Sequence, residues 1–175
     1  GYQALKLSTG GLATAVGAFA ADAHTTAAYT TAIGYAALGS LTTGTANTAV
    51  GHQAGNAVVD SSHTTAVGYN ALVLSTGANN TAIGSRSLDA NTTGNGNTAL
   101  GVDCLGGNTT AINNTAVGNN ALKANTTGTD NVAVGAEALD GNTTANGNLA
   151  VGYRSLSGAN TGAYNVALGN YSLLV

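Results

Sequence analysis

The chain alternates a short apolar stretch with a longer polar stretch, and the alternation returns every 16 or 17 residues. Each unit is close to NTAVGYxALxxNTTGxx, which residues 114–128 show most plainly as NTAVGNNALKANTTG. A period this short and regular indicates one small structural unit stacked about ten times. We therefore expect residues 1–175 to form a single repeat array. One glycine per unit, called here the repeat glycine, marks the period: Gly1, Gly17, Gly34, Gly51, Gly68, Gly84, Gly101, Gly118, Gly135, Gly152 and Gly169.

The apolar half of the unit surrounds the repeat glycine. Ala stands two residues before it, an aliphatic residue one before it, a small residue three after it, and usually Leu four after it. Neighbouring side chains of a strand point to opposite faces, so the Ala and the aliphatic residue of TAV lie on different faces of the strand. We assign one face to the interior and expect a face of Ala and Gly to let another chain approach closely. The candidate oligomer-interface or core residues form the Ala column: Ala49, Ala66, Ala82, Ala99, Ala116, Ala133, Ala150 and Ala167.

The period also selects the fold class. Seventeen residues are too few for a helical-hairpin repeat, and Gly, Asn, Thr and Ser at this density disfavour helix. TAV and YxAL predict two short extended pieces per unit, and TTG predicts a turn. We therefore predict an all-β chain: a parallel β-solenoid, or β-roll, of about ten coils of 16–17 residues.

Stacked coils place like residues above like residues. Asn recurs four residues before the repeat glycine, and stacked amides can form hydrogen bonds along the axis. In the columns two and five residues after the glycine, all adjacent charged pairs are opposite in sign: Arg86 and Asp103, Glu137 and Arg154, Lys6 and Asp22, and Lys123 and Asp140. We predict an axial Asn ladder from the first Asn column: Asn47, Asn80, Asn97, Asn114, Asn131, Asn148 and Asn165.

Composition narrows the function classes. Charged residues are 6% of the chain, the net charge is -3 and no basic cluster occurs, so we expect no nucleic-acid partner. No run of apolar residues is long enough to predict membrane insertion. The single Cys104 allows no disulfide within the chain, and it occupies the small-residue column, where packing is its expected role.

Candidate chemistry is sparse. His24, His52 and His63 fall at different places within their units, so we expect turn or surface histidines and no metal site. The acidic residues are scattered, which predicts no catalytic pair, no enzyme and no cofactor. Tyr2, Tyr35, Tyr69 and Tyr153 follow the repeat glycine, where packing and sugar stacking both remain open. The NTT sequences begin turns and also match the glycosylation sequon: Asn91, Asn108, Asn125 and Asn142.

The repeated NTAVG followed by AL resembles the head repeats of trimeric autotransporter adhesins. With its NTTG turn, the unit is even more similar to the repeat regions of phage and phage-like tail fibre proteins. The resemblance covers essentially the whole chain. It implies a left-handed β-roll, a homotrimer and an extracellular place on a virion or bacterial cell surface, and it assigns no catalytic residues.

The leading hypothesis is therefore a structural and adhesive fibre segment, a section of a longer protein that presents a receptor-binding tip. Its partners would be further copies of the chain, side by side or end to end, and a cell-surface glycan or protein receptor. Two alternatives stay open. One is a self-assembling extracellular filament, and the other is an ice- or polysaccharide-binding solenoid that uses the turn Thr column: Thr25, Thr42, Thr92, Thr109, Thr126 and Thr143.

Overall fold

The computed structural model describes residues 1–158 and 161–173, and its regular elements there are short β-strands, one before each repeat glycine from Gly17 onward. Thr and the aliphatic residues of TAV favour extended backbone, and the glycine ends it. The strands are β1 Ala13–Val16, β2 Thr30–Ile33, β3 Thr48–Val50, β4 Thr65–Val67, β5 Thr81–Ile83, β6 Thr98–Leu100, β7 Thr115–Val117, β8 Val132–Val134, β9 Leu149–Val151 and β10 Val166–Leu168.

These strands form one parallel sheet in the order β1 to β10. Each strand pairs with the next in the register of the repeat, so that Ala49 lies opposite Ala66 and Val50 opposite Val67. Parallel strands lie about 4.8 Å apart, which gives ten strands a length of about 48 Å. The predicted all-β parallel β-solenoid is confirmed.

The second extended piece that we predicted from YxAL is wrong. The residues two and four after the repeat glycine have positive φ, for example 57° at Asn120 and 51° at Leu122. A chain in this conformation cannot run straight as a strand. It still bonds to both neighbouring coils, because the Asn120 N–H donates to Val102 O (3.0 Å) and the Leu122 N–H donates to Ala138 O (3.0 Å).

Close contact between coils explains the repeat glycine. From Gly17 to Gly169 its φ lies between 112° and 146°, a region that residues with a Cβ rarely adopt. A Cβ on Gly101 would also stand 2.4 Å from the carbonyl oxygen of Gly118 in the next coil. Both the conformation and the space therefore require glycine.

The Ala column lies inside the coil, so of its two predicted places, core or oligomer interface, the structure supports the core. Ala49, Ala99 and Ala116 are fully buried, and they share one cluster with the Leu residues four after the glycine. A narrow coil that already holds a large Leu side chain leaves room for only a methyl group opposite it. The outward side carries Thr and the aliphatic residue in β1 to β7, and two aliphatic residues in β8 to β10.

Candidate functional site

From Asn80 to Asn165 the first Asn column forms the predicted axial ladder inside the coil. Asn47 is separated from it by Thr64, whose N–H donates to Asn47 Oδ1 (2.9 Å). Asn97 donates to Asn80 Oδ1 from its backbone N–H (2.9 Å) and from Nδ2 (3.3 Å). The same two bonds recur at Asn114, at Asn131 and at each later member up to Asn165. The column therefore satisfies buried polar groups and ties successive coils together.

A second ladder, which the sequence reasoning missed, lies seven residues after the repeat glycine. Asn125 Nδ2 donates to Asn108 Oδ1 (3.1 Å) and to Gly128 O (2.9 Å), and Gly128 O also accepts from Asn114 Nδ2 (2.8 Å). The two ladders thus meet at one carbonyl in each coil. The second Asn column consists of the four sequon residues, all fully buried: Asn91, Asn108, Asn125 and Asn142.

Burial decides between the two interpretations of the NTT sequences. Their Asn side chains point inward and donate two hydrogen bonds each, so a glycan could not be attached without opening the coil. Turn chemistry is the role that the structure supports. The constant spacing from the repeat glycine was the signal that could have revealed the second ladder.

The outward side of the sheet is apolar and uncharged. Val50 is 36% exposed, Ile83 38% and Leu100 45%, high values for aliphatic side chains in a folded chain. Thr or another aliphatic residue stands beside each of them, two residues earlier in the strand. The exposed stripe, called here the aliphatic column, contains Val16, Ile33, Val50, Val67, Ile83, Leu100, Val117, Val134, Val151 and Leu168.

An aromatic row runs beside the aliphatic column in the first coils. The His52 ring is stacked between Tyr35 (centroids 5.2 Å apart, planes 12°) and Tyr69 (5.3 Å, 17°). Phe19 packs edge-on between Tyr2 and Tyr35. The stacked rings turn their faces toward each other, so the packing interpretation of the tyrosines is favoured over sugar stacking.

The turn Thr column is used within the rod. Thr25 Oγ1 donates to Thr42 O (3.0 Å), and Thr42 Oγ1 donates to Val59 O (3.1 Å). The same bond recurs from Thr92, Thr109 and Thr126. Because these hydroxyl hydrogens are engaged between coils, the geometry gives the column a cohesive role and does not favour ice or polysaccharide recognition there.

Two of the four expected charge pairs form. Arg86 donates to Asp103 from Nε (2.7 Å) and from a terminal nitrogen (2.8 Å), which is a bidentate arrangement. Arg154 Nε donates to Glu137 Oε2 (2.5 Å). Lys6–Asp22 and Lys123–Asp140 are not joined by an ion pair in the described part of the chain.

An open cavity of about 610 Å³ interrupts the surface beside the Arg86–Asp103 pair. Gly106 and Gly107 form its floor, and Asp89 and Lys123 stand on either side. Asp89 is half-buried, and burial, followed by the charge of Asp103, raises the pKa of its carboxyl group. No sequence motif pointed to this place.

Two further reactive side chains, Cys104 and His24, are buried. Cys104 is fully buried, its thiol donates to Ala116 O (3.1 Å), and burial raises its pKa to about 12. His24 is also fully buried, contrary to the expected turn or surface location, and its Nδ1 lies 3.2 Å from Ser8 Oγ. In residues 1–158 and 161–173 no group of three His, Cys, Asp or Glu residues could hold a metal, and no helix could cross a bilayer.

Comparison with known proteins adds no relative, because no family model, curated protein or solved structure matches the chain.

Proposed function

We propose that the chain is a structural and adhesive segment of an extracellular fibre, in which identical rods associate side by side into a homotrimer. The observation that carries this proposal is the aliphatic column, an exposed and uncharged stripe that continues through all ten strands. Exposed apolar surface of this extent on a soluble protein marks an interaction site.

The pitch of the stripe selects a second copy as the partner. Its side chains repeat at the strand spacing of about 4.8 Å, and they can interdigitate along their whole length only with a surface of the same repeat. Every copy of the chain carries such a surface. A parallel bundle of identical rods would therefore cover more of the aliphatic column than a partner without the same repeat.

The outward face of the strands is smaller than a stable interface, so residues beside it must also take part in the contact. Ten strands of three residues present a face on the order of 500 Å², whereas a stable interface buries about 800 Å² on each partner. The aromatic row, with Tyr35 and Tyr69, adjoins the stripe and would complete the contact. Adhesion would then come from many copies held in one orientation.

The test is the solution mass of the chain and of two charge variants, measured by light scattering across a concentration series. Leu100→Lys places a charge in the middle of the aliphatic column, and Thr93→Lys places the same charge on the exposed turn face. We expect a three-chain mass for the unmodified chain and for Thr93→Lys, and a monomer for Leu100→Lys. A monomer in all three would contradict lateral assembly, and a mass that grows without limit would favour the filament alternative.

A further inference from the structure

The cavity beside Arg86 exists because its coil lacks a side chain at Gly106. Gly107 adds no space of its own, since a Cβ there would stand 2.7 Å from Lys123 O in the next coil. The residues five and six after the repeat glycine occupy one edge of each coil, and at least one of them carries a side chain in every other coil. In the coil that begins at Gly101 both are glycine, Gly106 and Gly107. The gap lies between Asp89 in the preceding coil and Lys123 in the following coil, and its volume is within the range of small-molecule sites.

Charge is concentrated around this gap. The chain has 11 charged side chains (4 basic and 7 acidic), and four of them line the cavity: Arg86, Asp89, Asp103 and Lys123. The bidentate bond from Arg86 fixes Asp103 on the wall. Asp89 extends over the floor, since its Oδ1 would be 3.5 Å from a Cβ placed on Gly106.

The lining side chains outside the Arg86–Asp103 pair determine which class of ligand fits the cavity. The two basic and two acidic side chains cancel, so the cavity suits a neutral molecule. Asp89 offers carboxylate oxygens that accept hydrogen bonds. Lys123 offers an ammonium group that donates them and forms no ion pair with any of the residues that the structure describes. A sugar hydroxyl can both donate and accept, and hydrogen bonds to ionised groups are the stronger kind.

We propose that this cavity binds one unit of a neutral saccharide, whose hydroxyl groups donate to Asp89 and accept from Lys123. The bare floor of Gly106 and Gly107 lets the ring approach the backbone. This inference rests on the adhesive part of the proposed function, because it names the chemical class of receptor. It does not depend on lateral assembly, since these residues lie on a different edge of the coil from the aliphatic column.

The experiment titrates the full chain with glucose, galactose, mannose and N-acetylglucosamine, using saturation-transfer NMR to detect binding and to measure its affinity. Gly106→Leu should fill the cavity and still fold. Its Cβ would meet Asp103 O at 3.3 Å, a tight contact that a small backbone shift relieves, and neighbouring coils carry Asp89 and Lys123 at this place. Gly10→Leu is the matched control, because Gly10 has no atom within 4 Å of its Cβ position.

We expect at least one of these sugars to bind the unmodified chain and the Gly10→Leu variant, and Gly106→Leu to bind it at least tenfold more weakly. Asp89→Asn and Lys123→Gln should each weaken binding as well. The proposal is overturned if no sugar saturates the chain at millimolar concentration, if Gly106→Leu binds as well as the unmodified chain, or if only the zwitterion glycine betaine binds.

Light scattering on the same samples separates this inference from the proposed function. A chain that keeps its three-chain mass and binds no sugar overturns the cavity proposal alone. A monomer that binds sugar overturns lateral assembly alone.

Discussion

A single buried Asn holds three coils of this rod together. Asn114 donates to Asn97 Oδ1 from its backbone N–H (3.0 Å) and to Gly128 O from Nδ2 (2.8 Å), and its Oδ1 accepts from the Asn131 N–H (3.0 Å). All of these groups lie out of reach of water. The side chain therefore links successive coils in the interior.

Replacing this amide should be costly. In Asn114→Leu the Asn131 N–H loses its acceptor, and Gly128 O loses one of its two side-chain donors. Each unsatisfied buried group costs about 1–3 kcal/mol. We expect the free energy of unfolding, measured with urea, to fall by about 3 kcal/mol or more. Asn119→Leu, five residues away at an exposed position, is the control and should change it by about 0.5 kcal/mol at most. Equal losses would contradict the ladder.

Burial also makes the one thiol unreactive. The thiolate is the nucleophile of cysteine, and burial raises the pKa of Cys104 to about 12, so almost none is ionised at neutral pH. We expect iodoacetamide to leave the folded chain unlabelled at pH 7.5 and to label it fully in urea. Rapid labelling without denaturant would show that this coil opens readily.

In each strand, either the Ala column or the aliphatic column could face the interior. The structure places the smaller side chain, Ala, inside. In β7 Ala116 is fully buried while its neighbour Val117 is partly exposed. A charged side chain at Ala116 should therefore disrupt the protein. The charge would enter the coil, not a contact between chains.

Two substitutions to the same residue test this placement. Ala116→Lys would bury an ammonium group with no partner, and we expect a loss of about 4 kcal/mol or failure to fold. Asn120→Lys should be tolerated, because Arg154 holds the equivalent place two coils later with a positive φ of 52°, and the column neighbours Asp103 and Glu137 are both acidic. Circular dichroism with thermal unfolding measures both, and similar melting temperatures would refute the face assignment.

These elements also show what the sequence could and could not predict. The glycine spacing and the Asn column predicted the stacking, the register and one ladder, because each depends on like residues meeting like residues. The inward face was not predictable from polarity, since both columns of TAV are apolar. The positive φ of Leu122 was not predictable either, because Leu rarely adopts it and only contacts between coils impose it. The cavity was not predictable, because the pair Gly106 and Gly107 on which it depends is also a common sequence signal for a turn.

Across the whole molecule, the interior changes composition midway along the rod. The second Asn column begins at Asn91, and the equivalent interior places in earlier coils hold Leu41, Val58 and Ser75. The first Asn column is interrupted at Thr64, a buried residue whose hydroxyl has no hydrogen-bond partner. Two ladders therefore reinforce the later coils, while the earlier coils depend mainly on apolar packing.

Such a rod should not unfold uniformly. Each coil contacts only its neighbours, so stability is a sum of coil and junction terms, and weak junctions divide the array into separate cooperative parts. We expect hydrogen exchange, followed by mass spectrometry, to show slower exchange in peptides from residues 84–150 than in those from residues 13–60. Thr64→Asn should extend the first ladder from Asn47 to Asn80, add about 1 kcal/mol for the hydrogen bonds gained and slow exchange on both sides of the junction. Uniform exchange along the rod, or no response to Thr64→Asn, would mean that backbone bonds between coils dominate and that the amide ladders add little to its cohesion.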